Sequence, residues 1–204
     1  MAASTASCSL QCLHTRRDLL RSCEELLKSI WPHSATERLY RLESEECIGL
    51  PCSLVLIEHR AGSPDEVIGH VRLVKVSHPE TPKSAFIEGV CVKRSFQGSG
   101  LGKKLMQLTE QYMAEELGYE QAFLICLAPV GDFYRRLSYE EFPILTLETV
   151  GANLLLTFDR VSWYGNKPAI GWESAYEDGP IVSEDEMRLQ AYGQLTMRKY
   201  LQAP

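Results

Sequence analysis

The sequence predicts a mixed α/β domain in which helices flank one central sheet. Three observations carry that prediction. Apolar residues alternate or run continuously over residues 54–57, 67–74, 86–92 and 122–127, the patterns of half-buried and central strands. Apolar residues recur at helical spacing over 19–30 and 101–112. Between the third strand and the second of these helical segments lies Gln97-Gly98-Ser99-Gly100-Leu101-Gly102-Lys103-Lys104, a glycine-spaced loop of the kind that opens helices at phosphate sites.

Composition bounds the rest. A chain of 204 residues suits one domain with tails, large enough to bury a core. Hydrophobic content of 45% and charged content of 24% are ordinary for a globular protein. A net charge of -6 argues against nucleic acid and against anionic membrane as partners. No apolar run approaches a membrane span. Seven cysteines, an odd number without paired metal-ligand spacing, point to reduced thiols in the cytoplasm and to no metal centre. Residues 1–14 hold no acid and are rich in Ser, Ala and Thr. With Arg16 and Arg17 they are compatible with a transit peptide, but the expectation is a flexible tail leading to a helix cap.

Thr15 and Asp18 have capping-box spacing before a first helix with Leu19, Cys23, Leu26, Leu27 and Ile30 on one face. Trp31-Pro32 ends it. A second helix is predicted from Ser34 as N-cap through Leu42, with Arg38 and Arg41 together on one side. Leu54-Val55-Leu56-Ile57 and the alternating run 67–74 form a hairpin about the turn cluster Ala61-Gly62-Ser63-Pro64-Asp65. Residues 86–92 read as a central strand. The next helix buries Leu101, Leu105, Leu108 and Tyr112 and stops at Gly118. Residues 122–127 give another buried strand, followed by a short helix around Asp132 to Leu137. Further strands are expected near 144–147, 154–158 and 167–172, and a final helix from Ser183 through Tyr200.

The glycine loop carries the chemistry. Backbone amides at a helix start converge on one spot, the helix dipole favours an anion there, and Lys103 and Lys104 add whole positive charges. A dinucleotide fingerprint is excluded because position 103 is Lys where its third glycine belongs. A Walker loop is excluded because Gln97 replaces its first glycine and Lys104 its Ser or Thr. What fits is Gln97-x-x-Gly100-x-Gly102, which resembles the acetyl-CoA pyrophosphate signature of the GCN5-related N-acetyltransferases (GNAT). Asp132-Phe133-Tyr134-Arg135-Arg136-Leu137-Ser138-Tyr139 resembles that family's second mark, with Ser138 where members carry glycine and Leu127 where many carry asparagine.

The resemblance, covering about residues 15–160, implies a mixed sheet of six to seven strands with the glycine loop between the fourth strand and the third helix. Within the family the chain is most similar to the actin-type N-terminal acetyltransferases, through Ile30-Trp31-Pro32, Val67-Ile68-Gly69-His70-Val71-Arg72-Leu73, Glu88 and Phe133-Tyr134. The domains would be a tail over 1–14, an acetyltransferase domain over 15–172 and an acidic extension over 173–204. Acetyl-CoA would be the co-substrate, held by Gln97, Gly98, Ser99, Gly100, Leu101, Gly102 and Lys103. Val90, Cys91 and Val92 would contact its pantetheine arm, and Asp132 would line the same groove.

Glu88, an acid within an apolar strand whose burial would favour its protonated form, would be the general base. Tyr134 would be the general acid toward the departing thiolate. Trp31, His33, Arg38, Tyr40, Arg41 and His70 would receive an acidic protein N-terminus, that of processed actin, and the enzyme would act as a monomer. The alternatives are an acetyltransferase for another amine, such as a small metabolite or a lysine, and a catalytically weak CoA-binding module.

Overall fold

The computed structural model describes residues 7–32, 42, 50–76, 81–142 and 194–201. Among the described residues seven strands make one mixed sheet in the order β1-β2-β3-β4-β5-β7-β6. They are β1 Ser7–Cys12, β2 Cys52–His59, β3 Glu66–Lys75, β4 Ser84–Val92, β5 Gln121–Leu127, β6 Glu140–Glu141 and β7 Gln194–Tyr200. Only β4 and β5 are parallel; every other neighbouring pair is antiparallel. The described helices are α1 Leu20–Ile30, α2 Leu101–Glu115 and α3 Gly131–Arg135.

Helices cover both faces, which is why β2 and β3 are apolar and buried nearly end to end. One face sets Leu54, Leu56, Leu73, Ile87 and Leu124 against Leu105, Met106 and Met113 of α2. The other sets Val55, Ile57, Val67 and Cys91 against Cys23, Leu26 and Leu27 of α1. Burying each such side chain contributes about 1.5–3 kcal/mol, so this double cladding is the main source of stability. The α2 stripe differs from the expected one. Leu105, Met106, Thr109 and Met113 are buried, while Leu101, Leu108 and Tyr112 sit at its margin. The polar Thr109 is tolerated in the buried stripe because its hydroxyl donates to the Leu105 carbonyl, 2.8 Å away.

Three expectations are corrected. The tail expected over 1–14 contains β1, which pairs with β2 from Ser7↔His59 to Cys12↔Leu54. Cys8, Leu10 and Cys12 alternate with Ser9 and Gln11 and pack on the α2-side core, a short period-two pattern set by the partner strand. The capping box does not form. Thr15 Oγ1 donates to the Cys12 carbonyl at 2.8 Å, Asp18 pairs with Arg16, and α1 is entered through a 3-10 turn. The end of the predicted last helix is instead β7, inserted between β5 and β6. Met197 is fully buried on the α2 side and Thr196 is buried on the other, a strand period. Residues 194–200 therefore belong to the domain placed at 15–172. The strands expected near 144–147, 154–158 and 167–172 lie outside the described residues. So does the second helix, except for Leu42, which is helical and buried.

Ser138 holds a positive φ of 67° in the turn after α3, a conformation that costs a side-chain-bearing residue about 1–2 kcal/mol. Glycine relieves that strain but adds backbone freedom to the unfolded chain. Ser138→Gly should raise stability by a net ~0.5–1 kcal/mol, read as a higher denaturant midpoint.

Candidate active site

The site is organised by a parting of strands. The β4–β5 ladder runs from Ser84↔Gln121 to Ile87↔Leu124 and stops there, although both strands continue. On its other edge β4 stays paired with β3 as far as Gly69↔Val92. A wedge therefore opens beside Glu88–Val92, facing Ile125–Leu127. An extra residue in β4 shifts its register with β3 between Arg72↔Glu88 and His70↔Cys91. The bulge, with Gly89 at φ 61°, brings Glu88 and Cys91 onto one face although they are three residues apart.

The glycine loop stands at the top of this wedge. Gly98 and Gly100 have φ of 80° and 86°, and a side chain on either would project into open space. Gly100 caps α2 from the left-handed region without a side-chain hydrogen bond, and the first turn holds no acid. The first amides of α2 have no intrahelical acceptor, so the loop offers donors, dipole and room together, and the residues present fit a pyrophosphate. Gly102 lies 3.5 Å, by its missing Cβ, from the Phe133 ring, which joins the start of α2 to α3. Gln97 has a different place from the one expected. Its Nε2 donates to the Val92 carbonyl at 3.2 Å, tying the loop to the end of β4. Gly100→Val should lower coenzyme A affinity at least tenfold by calorimetry, because it strains the backbone and fills the cradle. Unchanged affinity in a folded variant would mean that the anion binds elsewhere.

Glu88 is buried, and it is not alone. Arg72 Nη1 donates to Glu88 Oε1 at 2.5 Å, and both side chains are under 5% exposed. The sequence leads one to expect a solitary acid made less acidic by burial. The guanidinium opposes that effect and stabilises the carboxylate. His70, expected to meet substrate, is wholly buried, and its Nδ1 donates to the Gly89 carbonyl at 2.8 Å. It supports the bulge that presents Glu88. Sequence reasoning missed Arg72 and the buried Ser53, which stand in one cross-strand row, Ser53↔Arg72↔Glu88. A polar residue on each of three apolar strands was the available signal.

Tyr134, in α3, is buried in the α2-side core. Its ring meets Phe133 edge-on at 5.0 Å and Tyr139 at 5.8 Å. Burial first, and the nearby Cys126 thiol second, push its phenol well above the ordinary tyrosine value. It therefore keeps its proton at neutral pH, and burial makes that proton harder, not easier, to give up. The Cys126 thiol itself is pushed up to about 11 by burial. Asp132 is exposed and pairs with Arg135 Nη1 at 2.5 Å, one turn on. Trp31 closes α1 and packs at the margin of the α1-side core. His33, Arg38, Tyr40 and Arg41 lie outside the described residues. Among the described residues no group of His, Cys, Asp and Glu is placed to hold a metal, and no helix is long and apolar enough to cross a membrane.

The model of the acetyltransferase (GNAT) family matches residues 20–139. The chain is 31% identical over 126 residues to mouse N-alpha-acetyltransferase 80, a match covering 61% of this chain. It spans 39% of that relative's length. Among solved structures, an aminoglycoside 6'-N-acetyltransferase complexed with coenzyme A superimposes with a TM-score of 0.56 at 14% identity, over 96% of this chain and 98% of that one. An acetyltransferase of Staphylococcus aureus MU50 gives 0.56 at 12% identity, over 96% and 100%. A chimera of the Vibrio cholerae spermidine N-acetyltransferase with hSSAT gives 0.53 at 18% identity, over 67% and 82%. At these identities the likeness is one of fold.

Proposed function

The chain belongs to the acetyltransferase (GNAT) family, and from that premise we propose that it acetylates the free α-amine of an acidic protein N-terminus, that of processed actin beginning with Asp or Glu. Acetyl-CoA is the co-substrate and supplies an acetyl group activated as a thioester. The observation that carries the reading is the wedge between β4 and β5. The glycine loop before α2 would be the anion cradle at its head, and in this reading Glu88 of β4 and Tyr134 of α3 serve the chemistry beside it. The likeness to a relative named as an N-alpha-acetyltransferase supports an α-amine as acceptor.

In this reading the amides of Gly98 to Lys103 bind the pyrophosphate, and the opened edge of β4 around Val90 to Val92 aligns the arm beyond it. Such fixed donors need no reorganisation during reaction, which makes preorganisation the largest catalytic contribution. Glu88, paired with Arg72, takes a proton from the attacking amine, directly or through one water. An α-amine has an ordinary pKa near ~8, so a mild base suffices. Tyr134 gives its phenolic proton to the departing sulfur. Arg38 and Arg41, one helical turn apart in the sequence, read the acidic residues of the acceptor as paired guanidinium forks.

The test is a panel of peptides varied over their first residues, assayed by thiol release from acetyl-CoA. Peptides beginning with Asp or Glu should be preferred. Arg38→Ala or Arg41→Ala should cut that preference by about 10- to 150-fold, the worth of one charge-assisted hydrogen bond, with a much smaller loss on neutral peptides. Faster transfer to a polyamine or to a lysine side chain than to any acidic peptide would overturn the assignment.

A further inference from the structure

Ser9, His59 and Asp65 meet at the open edge of the sheet, on β1, at the end of β2 and in the hairpin loop before β3. Ser9 Oγ lies 2.7 Å from His59 Nε2, and His59 Nδ1 lies 2.7 Å from Asp65 Oδ1. The His59 contact first, and Arg16 second, hold the Asp65 carboxyl below its ordinary range. A carboxylate only accepts, so Nδ1 donates to Asp65. In the neutral imidazole Nε2 is then the acceptor, and the Ser9 hydroxyl donates to it. This is the order nucleophile, base, orienting acid that activates serine on unrelated folds.

The surroundings fit that order. Arg16 Nη2 donates to the other oxygen of Asp65 at 2.9 Å and locks the carboxylate. Arg16 Nη1 donates to Gln11 Oε1 at 3.1 Å. Gln11 stands two residues along β1 from Ser9 and shares its face. With its carbonyl engaged, its carboxamide N–H pair is available to an oxyanion. His59 and Asp65 side chains are 32% and 28% exposed, so small molecules reach the group. An Arg16–Asp65 pair alone would pin the hairpin to the N-terminal segment; aligning a serine on the free imidazole nitrogen is not needed for that. At ~4.8 Å per strand, the cluster is about 14 Å across the sheet from β4.

We propose that Ser9, His59 and Asp65 form a second, hydrolytic site for small uncharged carboxylic esters. Arg16 is committed to Asp18 and Asp65 and so is not offered to a charged substrate, which favours an uncharged one. Ser9 Oγ attacks the ester carbonyl while its proton passes to His59 Nε2. The carbonyl–alkoxide bond breaks, and the alkoxide leaves as alcohol with that proton. Water then attacks the acyl-serine, giving one proton to Nε2, which returns it to Ser9 Oγ. The sum is ester plus water to acid plus alcohol. Ser9 and His59 are the catalytic residues of this site; Asp65 and Arg16 are positioning residues.

The experiment treats the full chain with a fluorophosphonate probe, maps the adduct by peptide mass, and measures p-nitrophenyl acetate hydrolysis. The expected result is an adduct on Ser9, formed with loss of fluoride, in the wild-type protein. Ser9→Ala should lower ester hydrolysis about 10²-fold or more and leave acetyl transfer from acetyl-CoA unchanged. Asp65→Asn should lower the maximal labelling rate without moving the probe concentration for half-saturation, a split that loss of structure would not produce. Absence of a Ser9 adduct on the wild-type protein overturns the proposal, as does labelling of His59→Ala at the wild-type rate. The first outcome depends on no variant folding.

Discussion

Arg72→Met should destabilise the protein by about 3–5 kcal/mol, the cost of leaving a buried charge without its partner. The Arg72–Glu88 pair lies between two strands under nearly complete burial, so the stranded carboxylate has no water to turn to. The double variant Arg72→Met/Glu88→Gln should recover most of that loss, because it removes the charge together with its counter-charge. Urea midpoints of the two single variants and the double variant close the cycle. An additive cycle would show that the two groups do not depend on one another. The same pair governs the chemistry: Glu88→Gln should slow acetyl transfer while leaving coenzyme A affinity intact.

Tyr134→Phe should reduce turnover by roughly 10²–10⁴-fold, the span of a positioned proton donor. Cofactor affinity should stay close to wild type, since the ring keeps its packing against Phe133 and Tyr139. Single-turnover acetylation under saturating acetyl-CoA is the measurement. Near wild-type rates would show that the sulfur leaves without a proton from this residue. The phenol's raised folded value also has a sign for stability. The folded state holds the proton more tightly than the unfolded chain, whose tyrosines titrate near ~10. This contribution is therefore full below about pH 10 and falls away as pH rises toward the folded value.

Much of this was legible in the chain because its signals are local. The central strands announce themselves as apolar runs because helices cover both faces, and the glycine loop was readable because Gly98 and Gly100 occupy backbone conformations that side chains avoid. The missed parts are non-local. β1 has six residues of mixed polarity, and only its pairing with β2 makes it a strand. β7 carries Met197, Arg198 and Lys199, residues comfortable in a helix, and β5 imposes the extended form. The Arg72 partner of Glu88 was hidden because a bulge resets the register, so counting alternate residues along β4 does not show which side chain faces which.

The insertion of β7 between β5 and β6 sets an order of events during synthesis. Until residues 194–200 have left the ribosome, β5 and β6 lack the strand that joins them among the described residues. β5 is also the far wall of the wedge, so the nascent chain carries the glycine loop and Glu88 long before that wall is braced. Chains released early would present a row of unpaired amides and carbonyls beside an apolar strand, an invitation to pair with one another. Among the described strands, β7 is thus the one whose arrival covers the outer edge of β5.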